Sequence, residues 1–135
     1  MTEAFGRSGA IPTGPCPCGG DTYATCCQPY HHGGAAPTAE ALMRSRYSAF
    51  AVKDEPYLLR TWHPRTRPDE LGLDPRHVWL GLTVLSATGS ETDEVGEVHY
   101  RARSRNAAGR EHTLTERAHF ERRAGRWVYV DGDID

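Results

Sequence analysis

The sequence predicts an α+β fold, and three observations carry that prediction. Apolar residues recur at helical spacing between Ala39 and Val52, and from Trp79 onward the period changes to two. The alternating segments are separated by short turn-forming stretches, GSETDE, NAAG and AG. Helices that precede an antiparallel meander collect on one face of the sheet and leave polar side chains of the other face in water.

Each element follows in order. The opening MTEAFGRSGAIPTGP is polar and rich in Gly and Pro, so it reads as flexible. A cysteine-rich stretch follows, and GGAAPT (33–38) reads as a linker that divides the chain into 1–32 and 33–135. Thr38 is placed to cap a helix from Ala39 to about Val52, with Leu42, Met43, Tyr47 and Phe50 on its apolar face. Asp54 caps a second, shorter helix that tolerates Pro56 in its first turn. Tyr57, Leu58 and Trp62 form its apolar face, and Pro64 ends it. RTRPDELGLDPR is loop with at most one helical turn. Strands are expected over 79–87, 97–105, 110–123 and 126–132. In the second of these, Val98, Tyr100 and Ala102 face one side, and Glu97, His99, Arg101 and Arg103 the other.

The chain of 135 residues is 25% charged and 38% hydrophobic, which is long enough and apolar enough to bury a core. A net charge of −2 provides no global attraction to nucleic acid or to an anionic membrane. No apolar run reaches the roughly 18 residues a membrane helix needs. The N-terminal stretch lacks the apolar middle of a signal peptide, so the expected compartment is the cytoplasm, where thiols stay reduced.

All four cysteines lie in CPCGGDTYATCC: Cys16, Cys18, then seven residues, then Cys26 and Cys27. A disulfide fits badly, because Cys16–Cys18 and Cys26–Cys27 would close very small rings, and the compartment disfavours pairing across the loop. A redox pair would more often be C-x-x-C beside a βαβ unit. Four thiolates converging after a tight turn suit a closed, structural tetrahedral Zn²⁺ site, and Gly19 and Gly20 supply the permissive backbone. His31 or His32, which follow at once, could replace one cysteine as ligand. The remaining core is expected to come from residues beyond the linker, so that metal loss would disorder only the chain up to about Tyr30.

CPCGGDTYATCC resembles the SEC-C motif, a zinc-binding module of the SecA translocation motor's tail, with one residue fewer between the cysteine pairs than the commonest form. APTAEALMRSRYSAF, YLLRTWHP, WLGLTVL and RWVYVDG resemble the YchJ family in the same order, over nearly the whole chain. The resemblance implies a nuclear transport factor 2-like cone, in which the sheet wraps around helices and often leaves a pocket. It also implies protein docking by the zinc knuckle, since SEC-C modules engage the SecB chaperone and ribosomes.

Glu116 shares a strand face with Leu114 and Phe120, where an unpaired carboxylate is costly. Two roles fit it: an ion pair with Arg44 or Arg46, or a general acid or base. His63, at the end of the second helix, is a second titratable candidate. A Glu116–His63 dyad in a cone lined by Tyr47, Tyr57, Trp62, Trp79 and Trp127 would resemble dehydratase and isomerase sites of this fold. Arg101, Arg103 and Arg105, with Arg110 across the turn, form a basic stripe that reads first as a solvated face and second as an RNA contact. The leading expectation is a non-enzymatic protein-interaction module with structural zinc. The alternative is a small-molecule-binding protein or acid–base enzyme that uses the cone.

Overall fold

The computed structural model describes residues 14–135. Most of the N-terminal stretch read as flexible lies outside the described residues. Two short pieces open the described chain, a 3-10 turn at Tyr23–Thr25 and helix α1 at Gln28–His31. Helix α2 then runs over Ala39–Val52, and the Thr38 hydroxyl accepts the Ala41 N–H at 3.0 Å, which is the expected cap. Asp54 likewise caps α3, Glu55–Arg60, by accepting the Tyr57 N–H at 3.2 Å. The charged segment that follows forms hydrogen-bonded turns without a helix, and its Leu71 and Leu73 pack on Tyr57 and Leu58.

Four strands complete the chain: β1 Val78–Ala87, β2 Val95–Arg105, β3 Glu111–Arg123 and β4 Arg126–Ile134. They form one antiparallel sheet in the order β1-β2-β3-β4. β2 begins earlier than its alternation suggests because Gly96 belongs to it. A Cβ on Gly96 would stand 2.7 Å from the Thr88 carbonyl and 2.9 Å from the Ala39 methyl. Glycine there lets the start of α2 lie directly on the sheet.

The alternation of β2 is as expected: Val98, Tyr100 and Ala102 are buried against α2. On β3 the buried face carries Glu116, Ala118 and Phe120, and from β4 Trp127 joins the same cluster with Tyr129 packed against it; Val128 and Val130 of β4 are also buried, outside that cluster. After α3 the chain clips to the free edge of β4. The Tyr129 N–H donates to the Thr61 carbonyl at 2.8 Å, and the His63 N–H donates to the Tyr129 carbonyl at 2.7 Å. That pairing covers part of an edge that would otherwise be open to another strand.

One expectation requires correction. The cysteine loop does not stand apart from the core, because Cys16, Cys18, Tyr23 and Cys27 belong to the same buried cluster as Leu42, Val98 and Phe120. The glycines of the linker fold the chain back so that the loop packs on α2. The Arg44 Nη1 donates to the Cys18 carbonyl at 3.0 Å, the Arg60 Nη2 to the His31 carbonyl at 2.9 Å, and the Arg126 Nη1 to the Gly33 carbonyl at 3.2 Å.

Candidate metal centre and ligand cavity

The cysteine loop is closed by its own backbone. Pro15 and Thr22 form an antiparallel bridge, the Cys16 N–H donates to the Asp21 carbonyl at 2.9 Å, and the Gly19 N–H donates to the Cys16 carbonyl at 3.0 Å. Gly19 takes φ +97°, which a side chain rarely tolerates. The 3-10 turn then returns Cys26 and Cys27 to face Cys16 and Cys18. All four Sγ atoms lie within 4.8 Å of one another, with Cys18 to Cys26 at 3.6 Å and Cys26 to Cys27 at 4.0 Å. Four metal–sulfur bonds of about 2.3 Å at tetrahedral angles would separate the sulfurs by about 3.8 Å. Gly20 completes the cradle, since a Cβ there would sit 2.6 Å from the Cys26 sulfur.

The same proximity divides the protonation of the thiols. Hydrogen bonds from Cys18 and Cys27 hold the Cys16 thiol far below the usual range. The bond with Cys16 pushes the Cys27 thiol far above it, and burial pushes Cys26 up to about 12. Four thiolates this close cannot all ionise without a positive ion among them. The described residues therefore hold four cysteines positioned to bind a metal ion.

The neighbouring histidines stay outside this set. His31 spends both ring nitrogens elsewhere: Nε2–H donates to the Ser45 carbonyl at 2.8 Å, which leaves Nδ1 to accept the Tyr23 hydroxyl at 2.6 Å. Burial holds it below the usual imidazole range. His32 is exposed and lies outside the cluster.

The second site is a cavity of about 300 Å³ between α2 and the sheet. Tyr47, Trp62 and Trp79 line it as expected, but Tyr57 and Trp127 do not. The Tyr57 hydroxyl is 2.7 Å from the Ser45 Oγ on the far flank of α2, and the Trp127 Nε1 donates to the Pro37 carbonyl at 3.2 Å. Phe50, Tyr100 and Tyr129 complete the aromatic wall instead.

Glu116 is 8% exposed and faces this cavity, so the burial expected from its strand face is present. Its partners differ from expectation. No ion pair joins it to Arg44 or Arg46 among the described residues. Its carboxylate accepts the Tyr100 hydroxyl in a short hydrogen bond and the Tyr129 hydroxyl at 2.9 Å. Tyr100 stands directly opposite Glu116 in the β2–β3 register, which places the phenol beside the carboxylate. Burial, then the Glu116 charge, raise both phenols above the usual tyrosine range. Arg44 pairs with Glu40 at 3.0 Å, while Arg46 turns into the cavity wall. Its guanidinium lies 5.1 Å from the Trp62 ring centre and 4.8 Å from that of Tyr129, and burial lowers it to about 10.

His63 does not join Glu116. Its Nδ1 accepts the Arg65 N–H at 3.0 Å and its Nε2 lies 3.6 Å from Glu121, outside the cavity lining. The second helix ends at Arg60, earlier than expected, so Trp62 and His63 lie beyond it on the segment that clips onto β4, and the His63 ring stands beside Glu121. The arginine stripe is partly neutralised, since Arg103 and Arg105 share Glu111 at 3.3 and 3.7 Å. Sequence reasoning missed Tyr100, Tyr129 and Arg46 as cavity residues. The signal for Tyr100 was its position on the apolar face of β2.

Fold and site together define a nuclear transport factor 2-like α+β domain that carries a SEC-C-type cysteine knuckle. Residues 38–132 match the family described as YchJ, middle NTF2-like domain, and the chain belongs to the YchJ family. Matching relatives include a UPF0225 protein of Streptomyces coelicolor, 54% identical over 127 residues, which span 92% of this chain and 98% of the relative. A UPF0225 protein of Deinococcus radiodurans is 48% identical over 97% of this chain and 98% of its own. Among solved structures, a SEC-C motif containing protein from Rhodopseudomonas palustris is similar at TM-score 0.77 and 37% identity, covering 89% of this chain and 98% of that one. A second, from Psychrobacter arcticus, is similar at TM-score 0.69 and 27% identity, over 93% of this chain and 84% of that one. No helix among the described residues is long and apolar enough to cross a membrane.

Proposed function

We propose that this protein is a small-ligand-binding domain braced by a structural zinc ion. The observation that carries the reading is the cavity of about 300 Å³, walled by aromatic rings and holding one buried carboxylate and one buried guanidinium. A concave, largely apolar space with a few convergent polar groups is the usual form of a small-molecule site. The knuckle supports this role more than it supports docking, because Cys16, Cys18, Cys27 and Tyr23 are committed to the core. Among the described residues of the loop, Pro15, Gly19–Thr22, Ala24 and Thr25 are exposed, which leaves a small, largely polar surface for a partner. Binding is preferred to dehydratase or isomerase chemistry, because both Glu116 oxygens already accept phenol hydrogen bonds and His63 faces Glu121. Zinc is the ion that four thiolates in a tetrahedral, closed site favour.

Two measurements test the reading. Metal analysis of the purified chain is expected to return about one zinc per molecule, and the Cys16→Ser, Cys18→Ser double variant is expected to lose it. A screen of small aromatic fragments, followed by the indole N–H signals of Trp62 and Trp79, is expected to give saturable shifts. A cavity that no fragment enters would overturn the ligand-binding role.

A further inference from the structure

Arg46 is a buried cation with no anion in contact. It is 3% exposed and lines the cavity. Its hydrogen bonds run from Nη1 alone, to the Leu58 carbonyl at 2.8 Å and the Thr61 hydroxyl at 2.7 Å. Among the described residues, Nε and Nη2 have no hydrogen-bond partner and no carboxylate lies within salt-bridge distance of the guanidinium. Buried charges are ordinarily paired, and an arginine left with two free N–H directions presents the fork that fits a carboxylate. Trp62 and Tyr129 cover the guanidinium, so its remaining hydrogen-bonding capacity is directed at the edge and not at the face.

We propose that the cavity takes a small organic monoanion, a carboxylate on an apolar or aromatic body, with the anionic group seated on Nε and Nη2 of Arg46. This rests on the reading of the cavity as a ligand site. Met43, Tyr47, Phe50 and Trp79 supply the apolar walls for the body of the ligand. Glu116 sets the limit of one charge, because a second anionic group would face its carboxylate across the same low-dielectric space. A cationic ligand fits less well. It would be repelled by Arg46 and would find the Glu116 oxygens already bonded to Tyr100 and Tyr129.

The test uses the full, zinc-loaded chain with three probes: 2-naphthoate, its uncharged isostere 2-naphthamide, and naphthalene-2,6-dicarboxylate. Affinities are read from the Trp62 and Trp79 indole signals. Naphthoate is expected to bind at least about tenfold more tightly than the amide or the dicarboxylate. Arg46→Met is expected to erase the preference over the amide, while Arg46→Lys retains part of it. The comparison of probes on the unaltered chain decides the matter even if the arginine variants do not fold. An amide that binds as tightly as naphthoate would overturn the monoanion inference and leave the ligand site standing. A dicarboxylate that binds as tightly would overturn the limit of one charge. Absence of a saturable shift with every probe would remove the ligand site and the inference together.

Discussion

The Cys16 sulfur lies 3.4 Å from the Ser48 hydroxyl, so the first residue of the metal cluster touches the middle of the central helix. This contact joins two regions that the intervening glycine-rich linker would suggest are independent. Metal removal is therefore expected to act on the whole domain. Chelation should lower the thermal midpoint of the entire transition, and the double substitution of Cys16 and Cys18 by serine should cost about 4 kcal/mol or more. The check is a two-dimensional amide spectrum of metal-free protein. If the signals of Val98 and Phe120 keep their positions while only residues before Tyr30 broaden, the knuckle unfolds by itself.

Gly19 and Gly20 should fail in different ways when each is replaced by alanine. At Gly19 the backbone φ is +97° and no atom stands near the added methyl. Gly19→Ala should therefore cost about 1–2 kcal/mol of stability through backbone strain, with metal affinity nearly unchanged. At Gly20 the methyl would meet the Cys26 sulfur at 2.6 Å. Gly20→Ala should weaken metal binding by about 10- to 100-fold, the range usual for residues that orient ligands. Competition with a chromogenic chelator separates the two outcomes; equal affinities in both variants would argue against a cradle formed by Gly20.

Gly132 leaves the space that the Glu116 side chain fills. A Cβ at this position would overlap the carboxylate. Gly132→Ala is expected to force Glu116 away from Tyr100 and Tyr129 and to cost about 1–3 kcal/mol, as overpacking does. Thermal unfolding gives the magnitude. A variant as stable as the parent would mean that the carboxylate has other room.

Alkaline pH should destabilise the fold through the same cluster. Tyr100 and Tyr129 titrate higher in the folded chain than in the unfolded one, first because they are buried and then because Glu116 is charged. Below the unfolded tyrosine value of about 10 their contribution is fully present, and it is lost as pH rises beyond that value, because the unfolded chain then releases protons that the folded one keeps. Urea midpoints of metal-loaded protein between pH 8 and about 11 should fall more steeply than those of Tyr100→Phe. Parallel slopes would mean that the Tyr100 hydroxyl is not the group responsible.

Much of this fold was legible in local pattern. Thr38 and Asp54 act as caps because a hydroxyl or carboxylate at a helix start needs only its own neighbours. Val98, Tyr100 and Ala102 are buried together because strand alternation is strict. The cysteine cluster was legible from spacing and residue type. What local pattern could not supply was partnership across the chain. Strand alternation puts Glu116 on the buried face, but its two phenols depend on strand register and on the bulge between His119 and Phe120, which shifts the pairing with β4. Arg46 looked like its counter-ion, yet α3 holds that side chain by a carbonyl and a hydroxyl. The knuckle looked separable because glycines read as slack, whereas packing on Ser45 and Ser48 removes that slack.

Helix α2 has partners on both flanks, and three of its polar residues, Ser45, Arg46 and Ser48, are buried. The Ser45 Oγ is 2.7 Å from the Tyr57 hydroxyl, Arg46 donates to the Leu58 carbonyl, and Ser48 contacts Cys16. A wholly apolar rod in that position could settle at several rotations about its axis with similar burial. Three directional bonds, each aimed at a different neighbour, admit one rotation only. These residues therefore act as an address: they contribute less to how firmly the helix is held than to which of its sides meets the sulfur cluster and which meets the cavity.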